Sequence, residues 1–283
     1  MAERRPPPGV DASTRTVGVI GWPVDHSLSP VIHNAAFAAL DMNWVYVPMP
    51  VEPGSLAAAV AGLEGLGFAG ANVTMPHKTE AAALVEELSE DARRLSAVNT
   101  IVAGAGGLVG YNTDAPGFDR FLRRDAGFDP SGRRALVFGA GGGARACALA
   151  LAGAGLARLT VALREPSRAA PLLAAIAGTS LEVEVVPMDR AASVEADLVI
   201  NATPLGAHGE ELPLPALGPA ALAVDLIYRP AITPMQRSAR ASGAAALGGL
   251  GLLLHQAALS FELWTGREPP LEAMSAAALA ALA

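Results

Sequence analysis

Cysteine, charge and aromatic rings are scarce in this chain. It has one cysteine, three tyrosines and three tryptophans in 283 residues. The lone Cys147 has no partner for an intrachain disulfide, so nothing here requires an oxidising compartment. It sits among alanines, in Ala144-Arg145-Ala146-Cys147-Ala148, and reads as a small buried hydrophobe rather than a reactive thiol. Charged residues make up 17% of the chain, below the usual figure of about 25%. Basic residues are the minority, 20 against 27 acidic, for a net charge of −7. A nucleic-acid footprint needs a basic surplus, so that class of partner is excluded; a local basic site for a small anion is not. No uninterrupted apolar run reaches the ~18 residues of a membrane span. The start, Met1-Ala2-Glu3-Arg4-Arg5-Pro6-Pro7-Pro8, turns to proline where a secretory signal would be apolar. The expected location is the cytoplasm, with no membrane partner. His26, His33, His77 and His255 lack metal-ligand spacing, and no metal is expected.

What the chain has is apolar residues, 52% of it, and 30 glycines. Disorder needs the opposite bias. Residues 1–14 read as a tail. Short apolar runs ending in glycine or polar residues then alternate with alanine-rich stretches of helical length. Strands are expected at 16–21, 44–47 and 68–73, with helices at 30–40, 55–66 and 79–88. In the first of these helices Ser29 reads as the cap and Pro30 as the first helical residue. Residues 100–102 and 108–111 flank a glycine turn and predict a hairpin. Beyond Pro116 the rhythm is regular. Helices are expected at 118–124, 143–153, 167–177, 257–263 and 271–282, and strands at 135–138, 159–163, 181–186, 198–201 and 223–227. Strand–helix alternation implies parallel βαβ units on both sides of Asp114, hence an α/β fold of two domains. Gly248, Gly249 and Gly251 offer a point where the chain crosses back from the second domain to the first.

The most informative segment is Ala135-Leu136-Val137-Phe138-Gly139-Ala140-Gly141-Gly142-Gly143-Ala144. An apolar strand runs into G-x-G-x-x-A and then into a helix. The first glycine permits a tight turn, the second lets backbone approach a phosphate, and Ala144 is small enough for helix–strand packing. The helix N-terminus offers free N–H groups and a positive dipole end to a pyrophosphate. At the end of the next strand stand Arg164, Glu165 and Arg168. Arginine suits the 2′-phosphate of NADP, whereas an acid suits the ribose hydroxyls of NAD. NADP is the favoured reading and NAD the alternative.

Polar clusters follow the apolar strands of the first half. Ser27 and Ser29 open a helix, where two hydroxyls can bind a carboxylate. Asn72, Thr74 and Lys78 share one loop. Asn99-Thr100 and Asn112-Thr113-Asp114 add two more groups. Asp114 can hold or tune the charge of Lys78 as a proton donor. Together these clusters suit a small, hydroxyl-rich carboxylate.

The segments HSLSPVIHN, NVTMPHK, AVNT, YNTDAPGF, GAGGGARA, INATPLG, DLIYRPAITPM and GLGLLLHQAALSFELWTG occur in this order, from about Val17 to Gly266. In this the chain resembles the shikimate dehydrogenase family. The resemblance implies reversible NADPH-dependent reduction of 3-dehydroshikimate to shikimate, a step in aromatic amino acid biosynthesis. It implies a substrate domain of residues 1–113 plus 250–283 and an inserted Rossmann-type NADP-binding domain of residues 114–249. Lys78 and Asp114 would be the catalytic pair. Ser27 and Ser29 would bind the substrate carboxylate, with Tyr228 nearby, and Thr74, Asn99 and Gln256 would meet ring hydroxyls. Gly139, Ala140, Gly141, Gly142, Gly143, Ala144, Arg164, Arg168, Thr203, Gly249 and Leu252 would serve the cofactor. Related enzymes occur as monomers and homodimers. The sequence departs from the family pattern after the second nucleotide-domain strand, where N-R-T is usual and Leu163-Arg164-Glu165 stands here. It departs again at Leu252, where methionine is common. Two alternatives are a quinate/shikimate dehydrogenase using NAD and a non-catalytic nucleotide-binding sensor on the same fold.

Overall fold

The computed structural model describes residues 9–283. Of the expected tail, residues 1–8 lie outside the described residues, and residues 11–14 form an anchored turn. The Asp11 carboxylate accepts from the Ser13 backbone N–H at 2.8 Å and from Asn43 Nδ2 at 3.0 Å. The side chains of Ser13 and Asn43, with the Ser13 backbone, hold its pKa down to about 2.

In chain order the first elements are β1 (Arg15–Gly21), α1 (Ser29–Ala39), β2 (Trp44–Pro50), α2 (Leu56–Gly65), β3 (Gly70–Val73), α3 (Lys78–Ala81), β4 (Glu87–Leu88), α4 (Glu90–Leu95), β5 (Thr100–Gly104) and β6 (Gly107–Tyr111). They continue with α5 (Asp114–Arg124), β7 (Arg134–Phe138), α6 (Gly142–Gly153), β8 (Arg158–Leu163), α7 (Ala170–Ala175), β9 (Glu182–Pro187), β10 (Leu198–Asn201), β11 (Leu222–Asp225), α8 (Pro234–Ala241) and β12 (Ala245–Leu247). Two helices close the chain, α9 (Leu250–Thr265) and α10 (Leu271–Leu282).

The chain divides into two compact units. One holds the residues up to Thr113 together with Gln256–Ala283; the other is Asp114–His255. The chain therefore returns to the first unit at Gln256, beyond Gly248, Gly249 and Gly251 and inside α9. Gly249 is used differently: a methyl group there would strike the Leu226 carbonyl, so it permits close packing within the second unit.

The first unit is built on a mixed sheet in the order β2-β1-β3-β5-β6-β4. β1 runs parallel to β2 and β3, while β5 is antiparallel to both β3 and β6. β3 is buried along its whole length, as expected of a strand covered on both faces. One core cluster joins Ile20, Val73 and Ile101 to Leu56, Val60 and Leu63 of α2. Elsewhere in the unit His33, Phe37, Tyr46, Phe261 and Trp264 form an aromatic group, and α10 packs on α1. The Trp264 indole N–H donates to the Ile101 carbonyl at 2.9 Å.

The second unit is an all-parallel sheet in the order β12-β11-β10-β7-β8-β9. Counted within the unit this is 3-2-1-4-5-6 read from its other edge, the doubly wound dinucleotide-binding order. Sequence order reverses at β7, between β8 and β10. The crevice at the carboxyl ends of β7 and β10 is where such a fold places a ligand.

Three local expectations are revised. The helix expected at 79–88 is only the single turn α3. The Glu86 N–H donates to the Leu108 carbonyl at 3.0 Å and the Ser89 N–H to the Gly110 carbonyl at 2.9 Å. Pairing with β6 thus overrides helix propensity. The chain then starts α4, capped by Ser89 Oγ accepting from the Ala92 N–H. The segment expected at 167–177 splits into a 3₁₀ turn (Pro166–Ala169) and α7. At α1, Leu28 and not Ser29 is the cap residue, and the Ser29 N–H donates to Ser27 Oγ at 3.2 Å.

Candidate active site

The glycine turn joins β7 to α6. Gly139 has φ +102°, a value that favours glycine, and a methyl there would lie 3.0 Å from Thr203 Cγ2 and 3.1 Å from the Ala202 carbonyl. The turn therefore packs against the loop that follows β10. That loop is fixed in turn. The Thr203 hydroxyl and N–H both donate to Asn201 Oδ1, at 2.7 and 3.0 Å, and Asn201 Nδ2 donates to Asp225 Oδ1 at 3.0 Å. Asp225 is fully buried, and burial raises its pKa. Hydrogen bonds from Thr233, the Ile227 backbone and Asn201 oppose that shift.

Gly141 behaves differently from Gly139. It precedes α6, no side chain caps the helix, and a methyl on it would meet nothing within 4 Å. The space above it belongs to a cavity of about 600 Å³ lined by Gly139, Ala140, Gly141, Arg164, Arg168 and Thr203, together with Glu165 and Met188. Exposed helix N–H groups beside open space, with two arginines across it, fit a pyrophosphate and a further phosphate. Gly143 and Ala144 support the turn from below. Ala144 is fully buried, and a methyl on Gly143 would lie 3.0 Å from Leu226 Cδ1. Leu252 is half-buried in the first turn of α9.

In the first unit the polar residues at the strand ends form one buried network around Asn99. Asn99 Nδ2 donates to Thr113 Oγ1 at 2.9 Å, and the Thr113 N–H donates back to Asn99 Oδ1 at 2.8 Å. Thr113 Oγ1 reaches Gln256 Oε1 at 3.5 Å. Asn72 Nδ2 donates to the Asn99 carbonyl, Thr100 Oγ1 and Ser260 Oγ, each at 3.0 Å. The Tyr46 hydroxyl donates to Asn72 Oδ1 at 2.7 Å. Burial drives the Tyr46 phenol pKa far above its ordinary value, and a side-chain hydrogen bond with Ser29 only partly offsets this. Ser29, Asn99 and Gln256 are thus brought together, linked through Tyr46, Asn72, Thr113 and Ser260.

Lys78 and Asp114 each sit one step from this network. The Lys78 carbonyl accepts from the Val98 N–H at 2.8 Å, next to Asn99. Asp114 follows Thr113 directly and opens α5. Both side chains are half-buried. Thr74 is tied to β1 through its N–H, which donates to the Ile20 carbonyl at 2.8 Å. Tyr228 follows β11 in the second unit, and burial raises its pKa while Arg229 lowers it. His77 is buried, with Nε2 2.7 Å from the Val51 carbonyl. Cys147 is buried, which pushes its thiol pKa up, and the nearby Asp114 charge adds to the effect.

Tyr46 and Ser260 were not read from the sequence as site residues. Ser260 had a signal: it lies one helical turn after Gln256, so both occupy one face of α9. Met188 had none, since only the fold brings it to the cavity. Among the described residues no group of three or more His, Cys, Asp or Glu could hold a metal ion, and no helix is long and apolar enough to cross a membrane.

A doubly wound unit with a glycine turn under an open cavity, joined to a unit with a buried polar network, defines a dinucleotide-dependent enzyme acting on a small polar molecule. Two family models match: the shikimate dehydrogenase substrate binding domain over residues 19–101 and the shikimate 5′-dehydrogenase C-terminal domain over residues 249–279. Shikimate dehydrogenase (NADP(+)) of Moorella thermoacetica is 49% identical over 94% of this chain and 92% of its own. The solved shikimate 5-dehydrogenase of Thermus thermophilus in complex with NADP(H) and shikimate superposes with a TM-score of 0.85. It is 39% identical and covers 95% of this chain and 100% of that one. The shikimate 5-dehydrogenase of Listeria monocytogenes in complex with shikimate and NAD superposes with a TM-score of 0.89. It is 32% identical and covers 94% of this chain and 96% of that one. The chain belongs to the shikimate dehydrogenase family.

Proposed function

We propose that this protein carries out the reversible NADPH-dependent reduction of 3-dehydroshikimate to shikimate in the cytoplasm. The observation that carries this reading is the convergence on Asn99. Ser29 and Gln256 belong to one buried network with Asn99, the Lys78 carbonyl accepts from the Val98 N–H next to Asn99, and Asp114 follows Thr113 in the chain.

NADPH supplies the hydride when bound. The chain supplies the rest. Gly139, Ala140 and Gly141 present backbone to the pyrophosphate, with Gly142, Gly143 and Ala144 setting the start of α6. Arg164 and Arg168 take the 2′-phosphate. Thr203, Gly249 and Leu252 shape the nicotinamide side. Ser27 and Ser29 bind the substrate carboxylate, with Tyr228 close to it. Thr74, Asn99 and Gln256 orient the ring hydroxyls. Lys78 stabilises negative charge on the carbonyl oxygen as it becomes an alkoxide and delivers the proton that completes the alcohol. Asp114 positions the Lys78 ammonium. Asn99 donates through the same amide that Thr113 orients, so substrate meets a fixed donor.

The test is a matrix of initial rates with shikimate and quinate against NADP+ and NAD+. Oxidation of shikimate with NADP+ as the fastest combination is expected. No oxidation of shikimate with either nucleotide sinks the reading.

A further inference from the structure

Three ionisable side chains follow β8 at the cavity mouth: Arg164, Glu165 and Arg168. The middle one has the wrong sign for a phosphate. Glu165 Oε2 accepts from Arg168 Nε at 3.0 Å, while Arg164 is exposed with no ion-pair partner among the described residues. The side chains of Glu165 and Arg168 are 62% and 75% exposed. An ion pair that open to solvent does little for stability, so stability does not explain the acid's place there. In a doubly wound fold an acid at this strand end suits ribose hydroxyls, and an arginine suits the 2′-phosphate. Here both stand within one turn.

We infer that Glu165 is a specificity-determining residue of this chain, setting how strongly it prefers NADP over NAD. Its carboxylate competes with the 2′-phosphate for Arg168 and repels that phosphate. The same carboxylate accepts a hydrogen bond from a free ribose hydroxyl when the phosphate is missing. Arg164, free of such a competitor, supplies the remaining preference for phosphate. The inference rests on the nucleotide-binding reading of this cavity but not on the identity of the substrate.

The experiment is a fluorescence titration of NADPH and of NADH, without shikimate, into the native chain and into Glu165→Gln, Glu165→Ala, Arg168→Ala and Glu165→Gln/Arg168→Ala. Glu165→Gln should tighten NADPH and weaken NADH. The ratio of their dissociation constants should move about tenfold at low salt, as removing one charge beside a dianion near the surface implies. The shift should shrink as salt rises, and Glu165→Ala should reproduce it. Most of the NADPH gain should vanish when Arg168 is also replaced. An unchanged ratio, or an equal change for both nucleotides, overturns the inference. If the native chain binds both nucleotides yet does not oxidise shikimate, the proposed reaction fails, and the affinity ratio still decides the role of Glu165. Binding of neither nucleotide overturns both.

Discussion

The imidazole of His33 lies flat on the ring of Tyr46, with centroids 4.5 Å apart and planes inclined by 4°. The histidine is fully buried, and neither ring nitrogen has a hydrogen-bond partner among the described residues. Burial alone lowers its pKa to about 3. The Tyr46 hydroxyl in turn bonds to Ser29 and Asn72, so a neutral aromatic stack adjoins the buried polar network.

This arrangement predicts an acid-sensitive fold. The folded His33 binds a proton only near pH 3, whereas the unfolded chain binds one at its ordinary value of 6.5. Between those values the unfolded state holds more protons, so stability falls as pH falls. The slope from this one group approaches about 1.4 kcal/mol per pH unit. His33→Phe keeps a ring in place and removes the titration. Denaturant unfolding from pH 7 to pH 4 should show a shallower loss in the variant. Equal slopes would mean that His33 takes up a proton without unfolding.

Lys78 is expected to act on the chemical step. Lys78→Ala should lower kcat by about 10²- to 10⁴-fold, the usual worth of a positioned proton donor. The dissociation constant for shikimate, measured by titration, should change much less. Near-native turnover would remove Lys78 from that role.

Ser260 tests whether the buried network positions substrate donors. Its hydroxyl is 2.8 Å from Thr100 Oγ1, accepts from Asn72 Nδ2 and donates to the Gln256 carbonyl at 3.1 Å. Ser260→Ala removes one of the three acceptors around Asn72 Nδ2 and a partner of Thr100 Oγ1, and should cost about 0.5–1.5 kcal/mol of stability. If the network matters for binding, KM for shikimate should rise about three- to tenfold while KM for NADP+ stays put. Equal rises in both would reduce Ser260 to a purely structural residue.

Much of this was legible because local signals and the fold agreed. The apolar run before Gly139 read as a strand, and the small residues after it as a phosphate-binding helix start. The hairpin of β5 and β6 followed from its glycine turn. The failures have physical causes. Ala, Leu and Glu at 80–88 favour helix, yet hydrogen bonds to β6 pull that stretch straight. Thr233 and Gln236 form a capping box that starts α8, a local signature that stands outside the strand–helix rhythm of the apolar runs. The site showed the same limit. Polar residues at strand ends could be gathered, but Tyr46, apolar in context and 26 residues from Asn72, joins them only through the pairing of β1 with both β2 and β3.

Two glycines of the turn separate folding from binding. Gly139 is held at φ +102° and packed against Thr203 and Ala202. Gly139→Ala should cost about 1–3 kcal/mol of stability through backbone strain and crowding. Gly141 has an extended backbone, and a methyl on it points into open space. Gly141→Ala should leave the unfolding midpoint nearly unchanged, since it meets no protein atom and takes no strained conformation. If the cavity holds a pyrophosphate, that methyl occupies the space the phosphates need, and NADPH affinity should fall by about tenfold or more, the effect of 1.4 kcal/mol of lost contact. Thermal melts and NADPH titrations on the two variants measure this directly. A Gly141→Ala protein that melts normally and binds NADPH normally would place the nucleotide somewhere other than over this turn.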